Sequence, residues 1–350
     1  MGGSLRALFI TDDPAPWGLA ACYQRTFRKA GHVAEVFFLS GFDTQSLAAK
    51  ALNRFPLAAA ARVRKRLPQL FKETRAFRPD LIFICKGNNL DAGVLDELKS
   101  LSGSALLNLY TDNPLVDPGH AAFTQFSTRL SRYDCVFSFS RALVPVFEMC
   151  GAPKVVHLPF AHDPEVHQPA VLSPEERIFY GSPVACLSTW GAIHERWLER
   201  LAPFGLKIWG RHWHHLRPSS PLAQCWQKSG AIGVGLGSEM AKVCGSSSII
   251  FNLMRPEQGA QVSMKTFELP ACGAFVISNR TSEQLECLEE DRCMVYFSTA
   301  RELDEKVRFY LQREDLRRKI AASAYEEVRS RHSYAHRLEI ILRVYGELRK

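Results

Sequence analysis

Leu81-Ile-Phe-Ile-Cys85-Lys-Gly-Asn-Asn-Leu-Asp-Ala92-Gly-Val-Leu-Asp-Glu-Leu-Lys99-Ser-Leu-Ser-Gly-Ser-Ala105-Leu-Leu-Asn-Leu-Tyr110 carries the pattern on which the fold turns. Its ends are short apolar runs of strand length, and Ala92–Lys99 between them reads as a helix. A strand, a helical crossover and a second strand make a βαβ unit, whose strands lie parallel with helices packed on the sheet.

The same alternation extends in both directions. Upstream, Leu5–Ile10 reads as a strand, Leu19–Ala30 as a helix and Val33–Leu39 as a strand. Downstream come strands at Cys135–Phe139 and Val155–Leu158, and a helix at Ala142–Cys150 closed by Gly151 and Pro153. Pro159, Pro164, Pro169 and Pro174 then punctuate an aperiodic stretch suited to an interdomain linker. Beyond it the alternation restarts. Ile178–Tyr180 reads as a strand ending in Gly181-Ser182, Glu195–Leu201 as a helix, and Leu206–Trp209 as a strand ending in Gly210-Arg211. Ser248–Leu253, Ala274–Ser278 and Met294–Phe297 are further strands, and 300–350 is helical. The expectation is an α/β protein with Rossmann-like domains at 1–165 and 166–332. A terminal helix over 333–350 would return to the first domain through a stripe of Leu338, Ile341, Leu342 and Tyr345.

Composition narrows the functional classes. At 350 residues the chain suits two cores, and 46% hydrophobic with 23% charged residues excludes general disorder. No apolar run reaches the ~18 residues of a membrane span, and the N-terminal apolar stretch is too short for a signal segment. Ten cysteines without a CxxC pair or a Cys/His cluster at zinc spacing read as buried thiols of a cytoplasmic protein. The net charge of +8 favours an anionic ligand, but no zinc-finger, RNP or helix-turn-helix signature points to nucleic acid. GxGxxG, GxxxxGK[ST], HExxH and GxSxG motifs are absent, and Asp91, Asp96 and Glu97 do not form a DxD-like metal motif. Asn279-Arg-Thr281 fits a glycosylation sequon that a cytoplasmic chain would not use.

Ligands of open α/β sheets bind beyond the carboxyl ends of the strands. In the second half, Gly259–Ser278 contains a plausible N-cap at Ser263, a short helix with Lys265 and Glu268 on one face, and a stop at Gly273 before a buried strand. A helix N-terminus beside a lysine accommodates phosphate, and a glutamate one turn on can accept both hydroxyls of a ribose. The plainer alternative is an ordinary solvent-facing Lys/Glu pair.

Several segments resemble the CgeB-like (spore-protein-like) group of glycosyltransferase-related proteins, of the two-Rossmann-domain GT-B fold. They are Glu239-Met-Ala-Lys-Val-Cys244, Ser248-Ile-Ile-Phe-Asn-Leu253, Lys265-Thr-Phe-Glu-Leu-Pro-Ala-Cys-Gly273, Tyr310–Arg317 and His332-Ser-Tyr-Ala-His-Arg337. In the first half they are Cys85-Lys-Gly87, Tyr110-Thr-Asp-Asn-Pro114 and Leu158–Glu165, so the resemblance covers nearly the whole chain. It implies sheets facing across a cleft, a nucleotide-diphosphate sugar donor held by the C-terminal domain, and an acceptor held by the N-terminal one. It also implies Glu268 on the ribose, and Lys265 with the Ser263–Met264 backbone on the diphosphate. The group often has Arg where this chain has Lys265, which loses bidentate geometry.

Gly181, Ser182 and Arg196 are further candidates for the same anion, Arg196 being equally readable as a helix-surface charge. Gly210-Arg211-His212-Trp213 would line the base pocket, or Trp213 would be an aromatic anchor. In the first domain Asp112, Asp12 and Asp13 follow strands and are candidates for the acid or base, with turn or cap roles as the alternatives. Lys86-Gly87 could meet a phosphate, and His162-Asp163 would lie near a hinge. Eight basic residues over Arg54–Arg78, interleaved with Leu57, Val63, Leu67, Leu70 and Phe71, could rest on the inner face of an anionic membrane. The alternative is a solvated helix packed on the core and interrupted at Pro68. The function expected is metal-independent transfer of sugar, without a cofactor, to a polysaccharide, lipid-linked or other cell-envelope acceptor. The rivals are an epimerase or hydrolase on the same fold, and a non-catalytic binding or assembly protein.

Overall fold

The computed structural model describes residues 3–39, 56–113, 123–217, 219–229, 237–255 and 261–350. Arg54, Pro114 and Gly259 lie outside the described residues, and so does the side chain of Leu57. Two compact units divide the chain. Unit 1 comprises Met1–Pro159 with Tyr334–Lys350, and unit 2 comprises Phe160–Pro256 with Gln261–Ser333.

Unit 1 runs β1 (Arg6–Thr11), α1 (Leu19–Lys29), β2 (Val33–Phe38), α2 (Pro56–Phe77), β3 (Leu81–Cys85) and α3 (Ala92–Ser102). It continues with β4 (Ala105–Tyr110), α4 (Phe123–Leu130), β5 (Cys135–Ser138), α5 (Val144–Met149) and β6 (Val155–His157). All strand pairings are parallel, in the order β2-β1-β3-β4-β5-β6. Every residue of the central strands β3 and β4 is buried, because helices cover both faces of the sheet. Phe9, Tyr23, Phe27, Phe83 and Phe137 pack ring on ring along one face, with centroids 5.2–6.2 Å apart. The helix α2 runs through Pro68 without a break and turns Arg64, Lys65, Lys72 and Arg75 to solvent, with Val63 and Leu70 buried.

Unit 2 runs α6 (Pro174–Tyr180), β7 (Val184–Leu187), α7 (Ala192–Leu201), β8 (Leu206–Trp209), α8 (Pro221–Gln227), α9 (Ser238–Ser246) and β9 (Ile249–Asn252). There follow α10 (Met264–Ala271), β10 (Val276–Asn279), α11 (Ser282–Cys287), β11 (Val295–Phe297), α12 (Ala300–Leu311) and α13 (Glu314–Arg331). Its parallel sheet has the order β11-β10-β9-β7-β8, the same winding as the first five strands of unit 1. A last helix, α14 (Tyr334–Leu348), belongs to unit 1 and packs on α1. Its buried stripe is Tyr334, Leu338, Ile341 and Val344, with Leu342 and Tyr345 half-buried at its border. Tyr334 meets Tyr23 edge-on at 4.9 Å, and the buried Arg337 donates from Nε to the Pro159 carbonyl at 3.0 Å.

The structure corrects the reading of Ile178–Tyr180. These residues form the last turn of α6, not a strand. Ser173 accepts the Glu176 amide, Glu176 accepts the Ser173 amide, and Pro174 fixes the first turn, so a complete capping box starts a helix there. The first strand of unit 2 is instead the short buried run Val184–Leu187. The proline-punctuated stretch belongs to unit 2 from Phe160 onward, with His162, Asp163 and His167 all buried. His162 pairs with Ser333 in a β-bridge, and its amide donates to the His332 carbonyl.

Candidate functional site

In each unit the strand order reverses between the first strand and the third, and this is where doubly wound sheets receive ligands. In unit 2 that point lies between the carboxyl ends of β7 and β9. The loops around it are tightly built. Gly210 approaches Ser188 so closely that a Cβ would sit 2.0 Å from the Ser188 carbonyl oxygen, and its φ of +141° is one only glycine tolerates well. The buried Trp213 donates its indole N–H to the same carbonyl at 2.7 Å. Asn279, at the end of β10, clamps the residue beyond β9 through both amide atoms. Its oxygen accepts the Met254 amide at 2.6 Å and its nitrogen donates to the Met254 carbonyl at 3.1 Å. The helix α10 begins opposite, where Ser263 donates its amide to Thr266 Oγ1 at 3.1 Å.

Three groups gather here. Lys265, half-buried in the first turn of α10, acts electrostatically on His194, Cys186 and Glu268. Arg255, beyond β9, acts on His194 as well. His194 lies in the first turn of α7, is 8% exposed, and its Nδ1 is buried without a hydrogen-bond partner. Burial first, then the two cations, push its pKa down to about 4, so the imidazole is neutral at pH 7. Two cations, a neutral imidazole and the first turns of two helices form a site whose electrostatics fit an anion.

Glu268 points into the protein from α10 and is 5% exposed, so it is not the solvent-facing partner of Lys265. Burial raises its pKa to about 7 against the opposing pull of Lys265. Its Oε1 lies 3.5 Å from Nε2 of His167, whose side chain is equally buried. The His167 Nδ1 accepts the Asp163 amide at 3.0 Å, which places the ring proton on Nε2, facing the carboxylate.

The other candidates of unit 2 divide sharply. Ser263 caps α10, which carries Met264, Lys265 and Glu268, and Arg211 stays exposed at the carboxyl end of β8, its carbonyl accepting the Trp190 amide at 2.9 Å. Gly181 and Ser182 precede β7 and so lie at the amino end of the sheet, away from this point. The Gly181 amide closes α6 on the Arg177 carbonyl, and Ser182 donates to the Val184 carbonyl at 2.8 Å. Arg196 is exposed, because two residues past His194 is about 200° around the helix. Trp213 is a core anchor and not a pocket wall. His194 and Arg255 escape sequence reasoning. The strand preceding His194 is only four residues long and lies next to the more strand-like triplet Ile178–Tyr180, and Arg255 belongs to no motif.

In unit 1 the corresponding point lies between β1 and β3. Asp12 follows β1, and burial raises its pKa while Lys86 and an Asn89 hydrogen bond pull it back. Asp13 serves the turn, its Oδ1 accepting the Ala15 amide at 3.0 Å. Lys86 holds a left-handed φ of +67°, and Gly87 follows at +73°, where a Cβ would meet Ile84 at 2.6 Å. A non-glycine residue held there carries roughly 1–3 kcal/mol of strain and marks a constrained presentation of its side chain. The Lys86 Nζ reaches Asp112 Oδ2 at 2.5 Å, with both side chains well exposed. Asp12, Lys86 and Asp112 therefore converge beyond β1, β3 and β4.

The pattern of the family described as "Glycosyl transferase-like" matches residues 192–343. A comparison with curated protein sequences finds no match. Among solved structures, Anabaena HepE in complex with UDP and glucose superposes with a TM-score of 0.61 at 13% identity, over 98% of this chain and 99% of that one. Sucrose-phosphate synthase from Thermosynechococcus elongatus gives 0.68 at 12% identity over 98% and 99%. A Listeria monocytogenes protein described as a UDP-N-acetylglucosamine 2-epimerase gives 0.58 at 11% identity over 97% and 95%. The fold is GT-B: two parallel sheets, each flanked by helices.

Proposed function

We propose that this protein is a glycosyltransferase using a nucleoside diphosphate sugar, and that unit 2 holds the donor. The observation that carries the reading is the convergence of Lys265, Arg255 and His194 at the β7–β9 reversal, with the buried Glu268 on the same short helix as Lys265. The matched family pattern and the UDP-sugar-binding HepE support the class. In this reading Glu268 accepts hydrogen bonds from the ribose hydroxyls. Lys265, Arg255 and the first turn of α10 face the diphosphate and stabilise the charge it gains as it leaves.

During transfer the acceptor oxygen bonds to the anomeric carbon, and the bond from that carbon to the diphosphate oxygen breaks. The electron pair departs with the diphosphate. The acceptor proton passes to a base, for which Asp112 and Asp12, gathered around Lys86, are the assigned carboxylates. The acceptor we assign is a cell-envelope, polysaccharide or lipid-linked glycan, and the basic face of α2 suits an anionic membrane. The resemblance of Lys265–Gly273 and its companion segments supports placement in the CgeB-like group.

A panel of UDP-, GDP-, ADP- and TDP-sugars in thermal-shift and turnover assays tests the proposal. Stabilisation by one donor with sugar appearing on an added acceptor supports it. Epimerised or free sugar without acceptor would favour the second reading, for which the Listeria neighbour is the observation. Binding without turnover would indicate a binding or assembly protein.

A further inference from the structure

We propose that His212, His214 and His215 form a binding site for a borderline transition-metal cation of the Zn2+ class, at the carboxyl end of β8. The three imidazoles are exposed, and one ligating nitrogen from each lies within 4.8 Å of the others. This is the one group of three such ligand-bearing side chains among the described residues. The backbone brings them together. His212 adopts a left-handed φ of +67°, and Trp213–His215 then form a single 3₁₀ turn, so the chain reverses direction within four residues and presents the three rings on one side. The rings of His214 and His215 lie 4.2 Å apart, and those of His212 lie 5.9 and 6.1 Å from them. The turn is anchored from below by the wholly buried Trp213 and its indole bond to Ser188, so its path is fixed. Zinc would take one nitrogen from each ring at 2.0–2.1 Å and keep a fourth position for water, which requires the side chains to close in from their present spread of up to 4.8 Å.

The donor set selects the metal. Imidazole suits Zn2+, Cu2+ and Ni2+, whereas Mg2+ and Ca2+ demand oxygen. Arg211 and Arg217 border the turn and oppose a cation, so the site needs all three neutral imidazoles. The histidines are free of the role assigned to Lys265, Arg255, His194 and Glu268, so the inference stands apart from the proposed function. One ring is a built-in reporter: His215 lies 5.3 Å from Trp190, near enough for a bound paramagnetic ion to quench its fluorescence.

The test uses the full-length chain with any affinity tag removed. Zn2+ is titrated by calorimetry, and Cu2+ by quenching of tryptophan emission. Saturable binding of one ion is expected, weakening on acidification because protons compete with the metal for the imidazole nitrogens. Loss of an outer-sphere partner alone costs 10–100-fold in affinity, so His214→Ala or His212→Ala should each cost at least ~10-fold. Trp190→Phe should diminish the quenching and leave the calorimetric affinity in place. All three histidines are exposed, so the variants should melt like the parent. The absence of saturable binding, or undiminished affinity in the His214→Ala/His215→Ala double variant, would overturn the proposal.

Discussion

Glu268→Gln should make the unliganded protein more stable and the donor bind less well. The carboxyl group sits buried with its pKa raised from 4.5 to about 7, so the folded state binds more protons than the unfolded chain between those values. The contribution of Glu268 to stability is therefore present at acidic pH and is lost as pH rises through about 7. A shift of roughly 2.5 pKa units at about 1.4 kcal/mol each makes the ionised form costly by about 3 kcal/mol above pH 7. At pH 8 the glutamine side chain, similar in shape and uncharged, removes that cost. The Tm of unit 2 should rise by roughly 6–12 °C, since about 2–4 °C accompanies each kcal/mol for a domain of that size. At pH 5 the difference should shrink to a quarter or less. Donor affinity moves the opposite way. If Glu268 meets two ribose hydroxyls as proposed, replacing its carboxylate should cost about 2–4 kcal/mol, or 30- to 1,000-fold in Kd. Calorimetric scans at pH 5 and 8, with nucleoside diphosphate titrations on the same preparations, measure both. A 2′-deoxy nucleotide should lose far more affinity on the parent than on Glu268→Ala. A glutamine variant that melts lower at pH 8, or that binds ribo- and deoxyribonucleotides as the parent does, would refute the reasoning.

His194, whose pKa falls from 6.5 to about 4, has the opposite sign: its native state binds fewer protons, so stability drops on acidification through that window. His194→Gln should flatten this acid slope in urea denaturation at pH 4.5 and 6.5. Asp112→Asn should fold normally, because the Lys86 pair is exposed and worth about 1 kcal/mol or less, while turnover falls by about 10²-fold. Unchanged turnover would transfer the role to Asp12. Gly210→Ala should lower the Tm by a margin far larger than any surface change, since its Cβ meets the Ser188 carbonyl at 2.0 Å. Arg196→Ala, on the outward face of α7, should leave donor affinity unaltered in the same titrations.

The central strands were legible because both faces of β3 and β4 are buried, and such strands write themselves as unbroken apolar runs. Ile178, Phe179 and Tyr180 misled for the same reason. Ile178 is 80% exposed on α6, and an apolar triplet there mimics a strand although the Ser173-Pro-Glu-Glu176 start announces a helix. Of the candidate site, α10 could be read from its residues alone, since Ser263, Lys265 and Glu268 are close in sequence. Its surroundings could not. That Glu268 faces inward toward His167, about a hundred residues earlier, depends on packing between distant segments. His194 and Arg255 meet Lys265 only through the strand order. Local spacing also hides the three-histidine turn, because adjacent side chains on a regular helix or strand diverge and only the left-handed His212 gathers them.

Among the described residues the chain leaves unit 1 after Pro159 and re-enters it at Tyr334, so unit 2 is in effect a domain insertion between β6 and α14. Each unit seals its own break: His162 pairs with Ser333 within unit 2, and Arg337 holds the Pro159 carbonyl within unit 1. Residues 160–333 can thus be excised as one continuous piece whose two ends are already neighbours, which suits them to cyclisation or grafting. A fragment of unit 1 that stops at Pro159 would instead lack the helix that covers Tyr23. To be obtained whole, that unit must be made with a short peptide spliced across the gap, or as two pieces that find each other.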